Sequence, residues 1–385
     1  MSIPASGAKA PRSRIHVLDF IRLIAMLLMI QGHTLDAVVN PARVDWNSFG
    51  WSTWLHLRGL TAPLFLMVSG AATVLGVRRD SEGGVAHSVI RRRVFTAFKV
   101  LCIGYLLVFP ANRLADLQWV SWDVWRGFLQ VNILQLNGLA LLALTLLLAG
   151  TRSLRRYAFS AICLGLLVLI GAPFVYAVDW HQWLPEGLAA YLSFRHGSLF
   201  PLFPAGAFMF LGVGLGALLV GTPEERRLRT FRMACLAGSA GLMLVALGLD
   251  WSGMEAALPV HDPYKAGYAY TLLRLAFALL VFGVLAWVAE VRPSWVEVCA
   301  SMGRKSLFIY VVHLVFLYGT PWGEGLAGGR YHSLSVAQGI MLIPLVIAVS
   351  FGTLLAWEWV QRRSDQMGKV IRASAACALF YALIF

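Results

Sequence analysis

Long apolar runs separated by short polar segments repeat along the whole chain. The first, 17–39 (VLDFIRLIAMLLMIQGHTLDAVV), is long enough to cross a bilayer, which takes about 20 residues. Nine more follow at about 57–77, 94–112, 127–150, 157–178, 199–220, 231–249, 269–290, 305–320 and 335–360. The last apolar piece, 373–385, is short for a span and reads either as an eleventh, tilted helix or as an interfacial segment. The pattern predicts an all-α polytopic membrane bundle of ten, or eleven, transmembrane helices. A basic tail at 1–16, with Lys9, Arg12 and Arg14, precedes one transmembrane domain at 17–372. The connections are short, so any chemistry belongs to the bundle and its loops.

Composition agrees with the pattern. Of the 385 residues, 59% are hydrophobic and 13% charged, whereas soluble domains average about 45–50% and about 25%. The formal net charge of +13 does not signal nucleic acid, because the cations occur as short clusters between apolar runs. Five cysteines, an odd number set mostly in or beside those runs, read as packing residues rather than a disulfide frame or metal site. The first run is too long, and carries too many ionisable residues, for a cleaved signal peptide, so it is expected to stay as a helix.

The cations also set an orientation. The tail and the segments 78–93, 151–156, 222–232, 291–305 and 361–372 hold 22 of the 32 Lys and Arg. They alternate from side to side with cation-poor segments, which predicts a cytoplasmic N-terminus. The opposite segments are rich in Trp, His, Pro and Gly, as in NPARVDWNSFGWSTWLHLRG and DWHQWLPEGLAAYLSFRHGS. Tryptophan there serves either an interfacial belt or a mouth that stacks a sugar.

Chemistry concentrates in the first run. It carries Asp19, Arg22, His33 and Asp36, although a charge at mid-helix costs about 2.5–3.5 kcal/mol. At 100° per residue, Arg22 and His33 lie at about 300° and about 320° from Asp19, on one face. His33 either hydrogen-bonds a neighbouring helix or is catalytic, and Asp36, one turn on, is placed to orient its imidazole. Arg22 either snorkels beside Asp19 or belongs to a phosphate site.

Further along, His56 and Arg58 open the second run, at the expected depth of His33. An interfacial place serves both equally well. Asn132 and Gln135 share a face as polar glue or as acceptor contacts. Arg274 is placed to snorkel. His313 falls near mid-membrane in SMGRKSLFIYVVHLVFLYG, and Gly303-Arg304-Lys305 at its basic mouth suits either a phosphate-rich ligand or the positive-inside bias.

The spacing Asp19-x-x-Arg22-x-x-Ala25-x-x-x-Met29-x-x-x-His33 resembles the first helix of the transmembrane acyltransferase superfamily, which includes the family-3 acyltransferases. Three later stretches, GLTAPLFLMVSG (59–70), NILQLNGLALL (132–142) and SLFPLFPAGAFMFLGVGLG (198–216), resemble its heparan-alpha-glucosaminide N-acetyltransferase-like branch. GRKSLFIYVVHL (303–314) is similar to an element of both branches. The resemblance implies an acyltransferase that takes an acyl group, acetyl first of all, from cytosolic acetyl-CoA. It implies delivery to a saccharide or similar small acceptor across the membrane. His33 matches the motif histidine, as general base or as an acylated residue, and Arg22 matches the motif arginine, with a role toward the CoA phosphates. Asp19, Arg304 and Lys305 join Arg22 as candidates on the donor side. Arg58, Asn132, Gln135 and His313 are candidates on the acceptor side. Between His33 and Pro63 the chain departs from the glucosaminide pattern, which keeps His56 beside His33 and Asp36 as a catalytic candidate.

No metal is expected, and the partners are membrane lipid and the acceptor, not nucleic acid. The expected place is a bacterial inner (plasma) membrane, with the oligomeric state open, a homodimer included. The alternative is a proton-coupled small-molecule transporter, which also uses intramembrane His, Asp and Arg. No internal repeat of the kind such proteins carry is visible. A non-enzymatic scaffold gives no reason for buried His33, Arg22 and His313.

Overall fold

The protein was analysed as a computed structural model that describes residues 15–259 and 262–384. The tail cations Lys9, Arg12 and Arg14 lie outside the described residues. Sixteen helices are described. They begin with α1 (His16–Val38), α2 (Phe49–Gly59), α3 (Thr61–Ala72) and α4 (His87–Leu106). Then come α5 (Trp122–Leu129), α6 (Ile133–Gly150), α7 (Leu154–Ala177), α8 (Glu186–Ala189) and α9 (Leu202–Gly221). The chain continues through α10 (Arg227–Ser252), α11 (Pro263–Ala266), α12 (Tyr268–Val291), α13 (Pro293–Gly303) and α14 (Ser306–Tyr318). It closes with α15 (Val336–Arg363) and α16 (Asp365–Ile384). Among the described residues nine helical segments are long and apolar enough to cross a membrane, ten with α13 and α14 taken as one span bent by 57°. A bundle of helices is the expected answer to a bilayer, since each helix satisfies its own backbone where no water can.

Local signals explain most boundaries. Asn40-Pro41 stops α1, because proline cannot continue the helix and Asn40 caps the next short turn. Ser153 Oγ accepts from Arg156 N–H (3.1 Å) to start α7. Ser335 and Gln338 form a reciprocal capping box at the start of α15.

Several expected spans shift. The second runs from Phe49, as α2 and α3 together. The stretch 127–150 divides into a separate α5 and an α6 that begins only at Ile133. The expected span at 94–112 falls on α4, which takes Arg91, Arg92, Arg93 and Lys99 into one helix and is therefore not among the nine segments apolar enough to cross. The span expected from 305 is preceded by α13, which turns away at Arg304-Lys305. The apolar end expected from 373 forms, as far as Ile384, the second part of α16, a 20-residue helix that starts at Asp365. Lys369 and Arg372, taken as loop cations, lie on its surface.

Close contacts fix which ends of the helices lie together. Arg79, after α3, donates to the carbonyl of Thr151, between α6 and α7. Gly303 closes against the backbone of Asp19 near the start of α1. These connections carry the basic clusters and define a basic end. At the other end Leu199 N–H and Phe200 N–H donate to Val131 O (3.1 and 3.0 Å), and Leu334 N–H donates to Val38 O (2.9 Å). Trp322 Nε1 donates there to Asn112 O (2.7 Å). The Trp-rich loops make up this aromatic end.

The first helix is central. Two thirds of its apolar window is buried, against 6% for α16 on the outside. Its neighbours are α2, α3, α12, α13, α14 and α15. The main core joins its Ile21, Met26 and Ile30 to Leu64 and Met67 of α3 and Met209 and Val213 of α9.

Candidate active site

Two histidines meet in the half of the bundle toward the aromatic end. His33 Nδ1 of α1 lies 3.2 Å from His313 Nε2 of α14. His313 is fully buried and its Nδ1 lies 3.0 Å from the carbonyl oxygen of Ile309, one helical turn back. A carbonyl only accepts, so His313 Nδ1 carries a hydrogen. In the neutral ring His313 Nε2 is then a lone pair, and His33 Nδ1–H must donate to it. That leaves the second lone pair on His33 Nε2, which makes no hydrogen bond among the described residues. His33 is only half-buried, so this atom can be reached.

Aromatic rings hold the pair. Tyr310 packs edge-on against His313 (5.4 Å, 82°) and Tyr318 edge-on against His33 (6.2 Å, 69°). Tyr318 Oη also donates to the backbone oxygen of His33 (3.3 Å).

One turn beyond His33, Asp36 does not stand behind the imidazole as expected. It forms an ion pair with Arg58 of α2. The Arg58 side chain passes beside Gly32 of α1, where an added side-chain carbon would meet its Cγ at 3.4 Å, an ordinary contact. Arg58 also sits over the Trp54 ring (5.5 Å), and Trp54 Nε1 donates to Gln31 Oε1 (2.7 Å). His332 Nε2–H donates to Asp36 O (2.9 Å), tying the 319–335 loop to the end of α1.

His56 is not brought to this centre. It is exposed and its Nδ1–H donates to Ser52 O of its own helix (2.8 Å). Asn132 immediately precedes α6 without capping it. Gln135 is fully buried against Gly104 of α4, with neither amide atom hydrogen-bonded. No described contact joins Asn132 or Gln135 to the histidines. Arg274 extends over Tyr270, one turn nearer the aromatic end of its own helix (4.2 Å).

At the basic end Arg22 Nη1 donates to Asp19 Oδ1 (2.7 Å). The Gly303 contact sets the break between α13 and α14 directly on this turn of α1. Arg304 and Lys305, both exposed, follow Gly303 at this break. Arg304 Nε donates to Ser301 O (3.3 Å). Arg22 and His33 are eleven residues apart on one helix, so the two centres stand about 16 Å apart along the bundle.

The tryptophans around the start of α2 line a cavity that does not include His33. This cavity of about 480 Å³ is lined by Trp51, Trp54, Asp45, Gln31 and Ile343. Gln31 faces about 160° away from His33 around α1, so the cavity occupies the other side of the helix. The reading of sequence alone also passed over Tyr310, Tyr318 and His332. Their one sequence signal was that Tyr310 and Tyr318 share the apolar run of His313. It missed, too, the meeting of His181, Glu186 and His196 in the α7–α9 connection.

A family model described as "Heparan-alpha-glucosaminide N-acetyltransferase, catalytic" matches residues 14–246. That match spans α1 to most of α10, and so Arg22, His33, Asp36, Arg58 and Gln135. His313, Arg304 and Lys305 lie beyond it and reach the site through α1. No individual curated protein matches the chain.

Proposed function

Since the chain belongs to the heparan-alpha-glucosaminide N-acetyltransferase catalytic family, and is therefore an acetyltransferase-like multi-pass membrane enzyme, we propose that it transfers acetyl from acetyl-CoA at its basic end to a small acceptor at its aromatic end. The acceptor is a saccharide or a similar hydroxyl or amine compound. The membrane is a bacterial plasma membrane, with the basic end cytoplasmic, as the clustering of cations on one end supports.

One observation carries this reading: the tautomers set by Ile309 O leave a lone pair on His33 Nε2 at an accessible position. His33 acts as general base. Its Nε2 removes the proton as the acceptor oxygen or nitrogen bonds to the acetyl carbon, and the positive charge that develops on the ring is shared through Nδ1–H with His313 Nε2. His313 is a positioning residue, since it touches His33 and not the acceptor. Acetyl-CoA supplies the acetyl group as a thioester, with the CoA thiol as leaving group. The cations at the basic end fit its phosphates: Arg22 is held rigid by Asp19, and Arg304 and Lys305 are exposed beside it. Arg58, fixed by Asp36 and Trp54, borders the approach to His33 from the aromatic end.

The expected consequence is a loss of acetyl transfer by at least about 100-fold in His33→Ala, the lower range for a general base. The measurement is turnover in reconstituted vesicles, with binding of acetyl-CoA retained. Transfer at the wild-type rate would overturn the assignment. Label retained on wild-type protein after removal of acetyl-CoA would replace the general-base step by acetylation of His33 itself.

A further inference from the structure

Three side chains in the connection between α7 and α9 are not used by acetyl transfer. His181 Nδ1 lies 3.2 Å from Glu186 Oε2, and His196 Nδ1 lies 2.8 Å from Glu186 Oε1. The two rings stack at 3.6 Å, so both imidazoles address one carboxylate from the same side. One ligand atom from each residue lies within 4.8 Å of the others. The side chains of His181 and Glu186 keep only 7% and 10% of their exposure, and that of His196 keeps 35%.

Both imidazoles turn Nδ1 onto the two oxygens of one carboxylate, so the three side chains aim their ligand atoms at one point. Between Val178 and Pro201 the charged residues are Asp179, Glu186 and Arg195, and Arg195 is paired with Asp179 at 2.7 Å. No Lys or Arg of the connection is left for Glu186, a nearly buried carboxylate faced by two imidazoles.

We propose that His181, Glu186 and His196 bind a divalent transition-metal cation of the zinc type, which pins the α7–α9 connection at the aromatic end. Two imidazoles and one carboxylate are a donor set for Zn²⁺ and its neighbours, not for Ca²⁺ or Mg²⁺, which prefer oxygen throughout. The cation supplies the charge that Glu186 lacks, with the two Nδ1 lone pairs turned toward it. The segment it pins is the one that grips the start of α6: Gln130 Nε2 donates to His196 O (2.9 Å) and Val131 N–H to Ser198 Oγ (3.0 Å). A metal is a direct way to fix a connection with so little regular structure. The site revises the metal-free expectation from sequence, and it stands independently of the acetyl-transfer reading.

The test uses the tag-free full chain in detergent, stripped with chelator and then titrated with Zn²⁺ and with Co²⁺. The expected results are one metal bound per chain, a visible Co²⁺ spectrum of low coordination number, and a higher thermal midpoint with Zn²⁺. Glu186→Gln and His196→Ala should each weaken binding by at least about tenfold and abolish the thermal response. His87→Ala, at the basic end, should keep both. His196→Ala changes the most exposed of the three residues, so it serves if Glu186→Gln fails to fold. Absence of stoichiometric metal in the wild type, equal stabilisation by Mg²⁺, or unchanged binding in His196→Ala would overturn the site.

Discussion

At the scale of single residues, the outcome rests on a backbone carbonyl. Ile309 O fixes which nitrogen of His313 carries hydrogen, and that choice passes through the 3.2 Å contact to His33. The claim separates two substitutions at His313. His313→Gln can still accept from His33 Nδ1–H through its amide oxygen, whereas His313→Phe cannot. The expected outcome is a modest fall in turnover for Gln and a fall toward the His33→Ala level for Phe, with little change in KM for the acceptor in either. The pH–rate profile of His313→Phe should also differ from wild type, because the base loses its partner. A purely structural role would instead lower the yield of both variants and leave their pH profiles superimposable. The sequence singled out His33, since an imidazole on the Asp19–Arg22 face of a span is costly without use. Its true partner was not. His313 is 280 residues away, and Asp36, only one turn away, was the local choice. Asp36 pairs with Arg58 of α2, which passes beside Gly32 of α1, a tertiary effect that no local spacing records.

At the scale of elements, small residues let the helices that carry the site approach closely. Gly70 of α3 abuts the backbone of Met209, while Gly212 and Gly216 of α9 abut the backbones of Met67 and Ala71. Four residues apart, Gly212 and Gly216 face the same partner, as small residues do at helix interfaces in membranes. Gly212→Val is expected to overpack this contact by about 1–3 kcal/mol and lower the thermal midpoint in detergent. Gly241→Ala, in α10, has nothing within 4 Å of the added carbon and should leave the midpoint equal or higher. Equal midpoints for the two variants would contradict this packing. The spans themselves were largely legible, because a run of apolar residues needs no tertiary information to declare itself. The misplacements occur where polarity and helix part company. α4 holds three arginines in its first turns yet stays helical, and α16 extends back through Arg372 and Lys369 to Asp365. The bend between α13 and α14 was invisible, since Gly303 is in place for its contact with Asp19 and not for any local turn signal.

At the scale of the whole molecule, one helix joins two centres. α1 carries Asp19 and Arg22 at the basic end and His33 toward the aromatic end, and the same two ends are matched by Arg304-Lys305 just before α14 and His313 within it. The alternation of basic and aromatic loops was plain in the sequence and appears in the structure as the two ends of the bundle. The aromatic cavity was less well foreseen, as it lies behind α1 rather than over His33. The central claim is vectorial: donor at the basic end, acceptor at the aromatic end, with His33 between them. It is tested most directly in sealed vesicles that hold the protein in one known orientation, with labelled acetyl-CoA supplied on one face and candidate saccharides on the other. The expected result is labelled acceptor when acetyl-CoA meets the basic end, no transfer when the two are exchanged, and none in His33→Ala. Equal transfer in both arrangements, or labelled acceptor on the donor side alone, would contradict it.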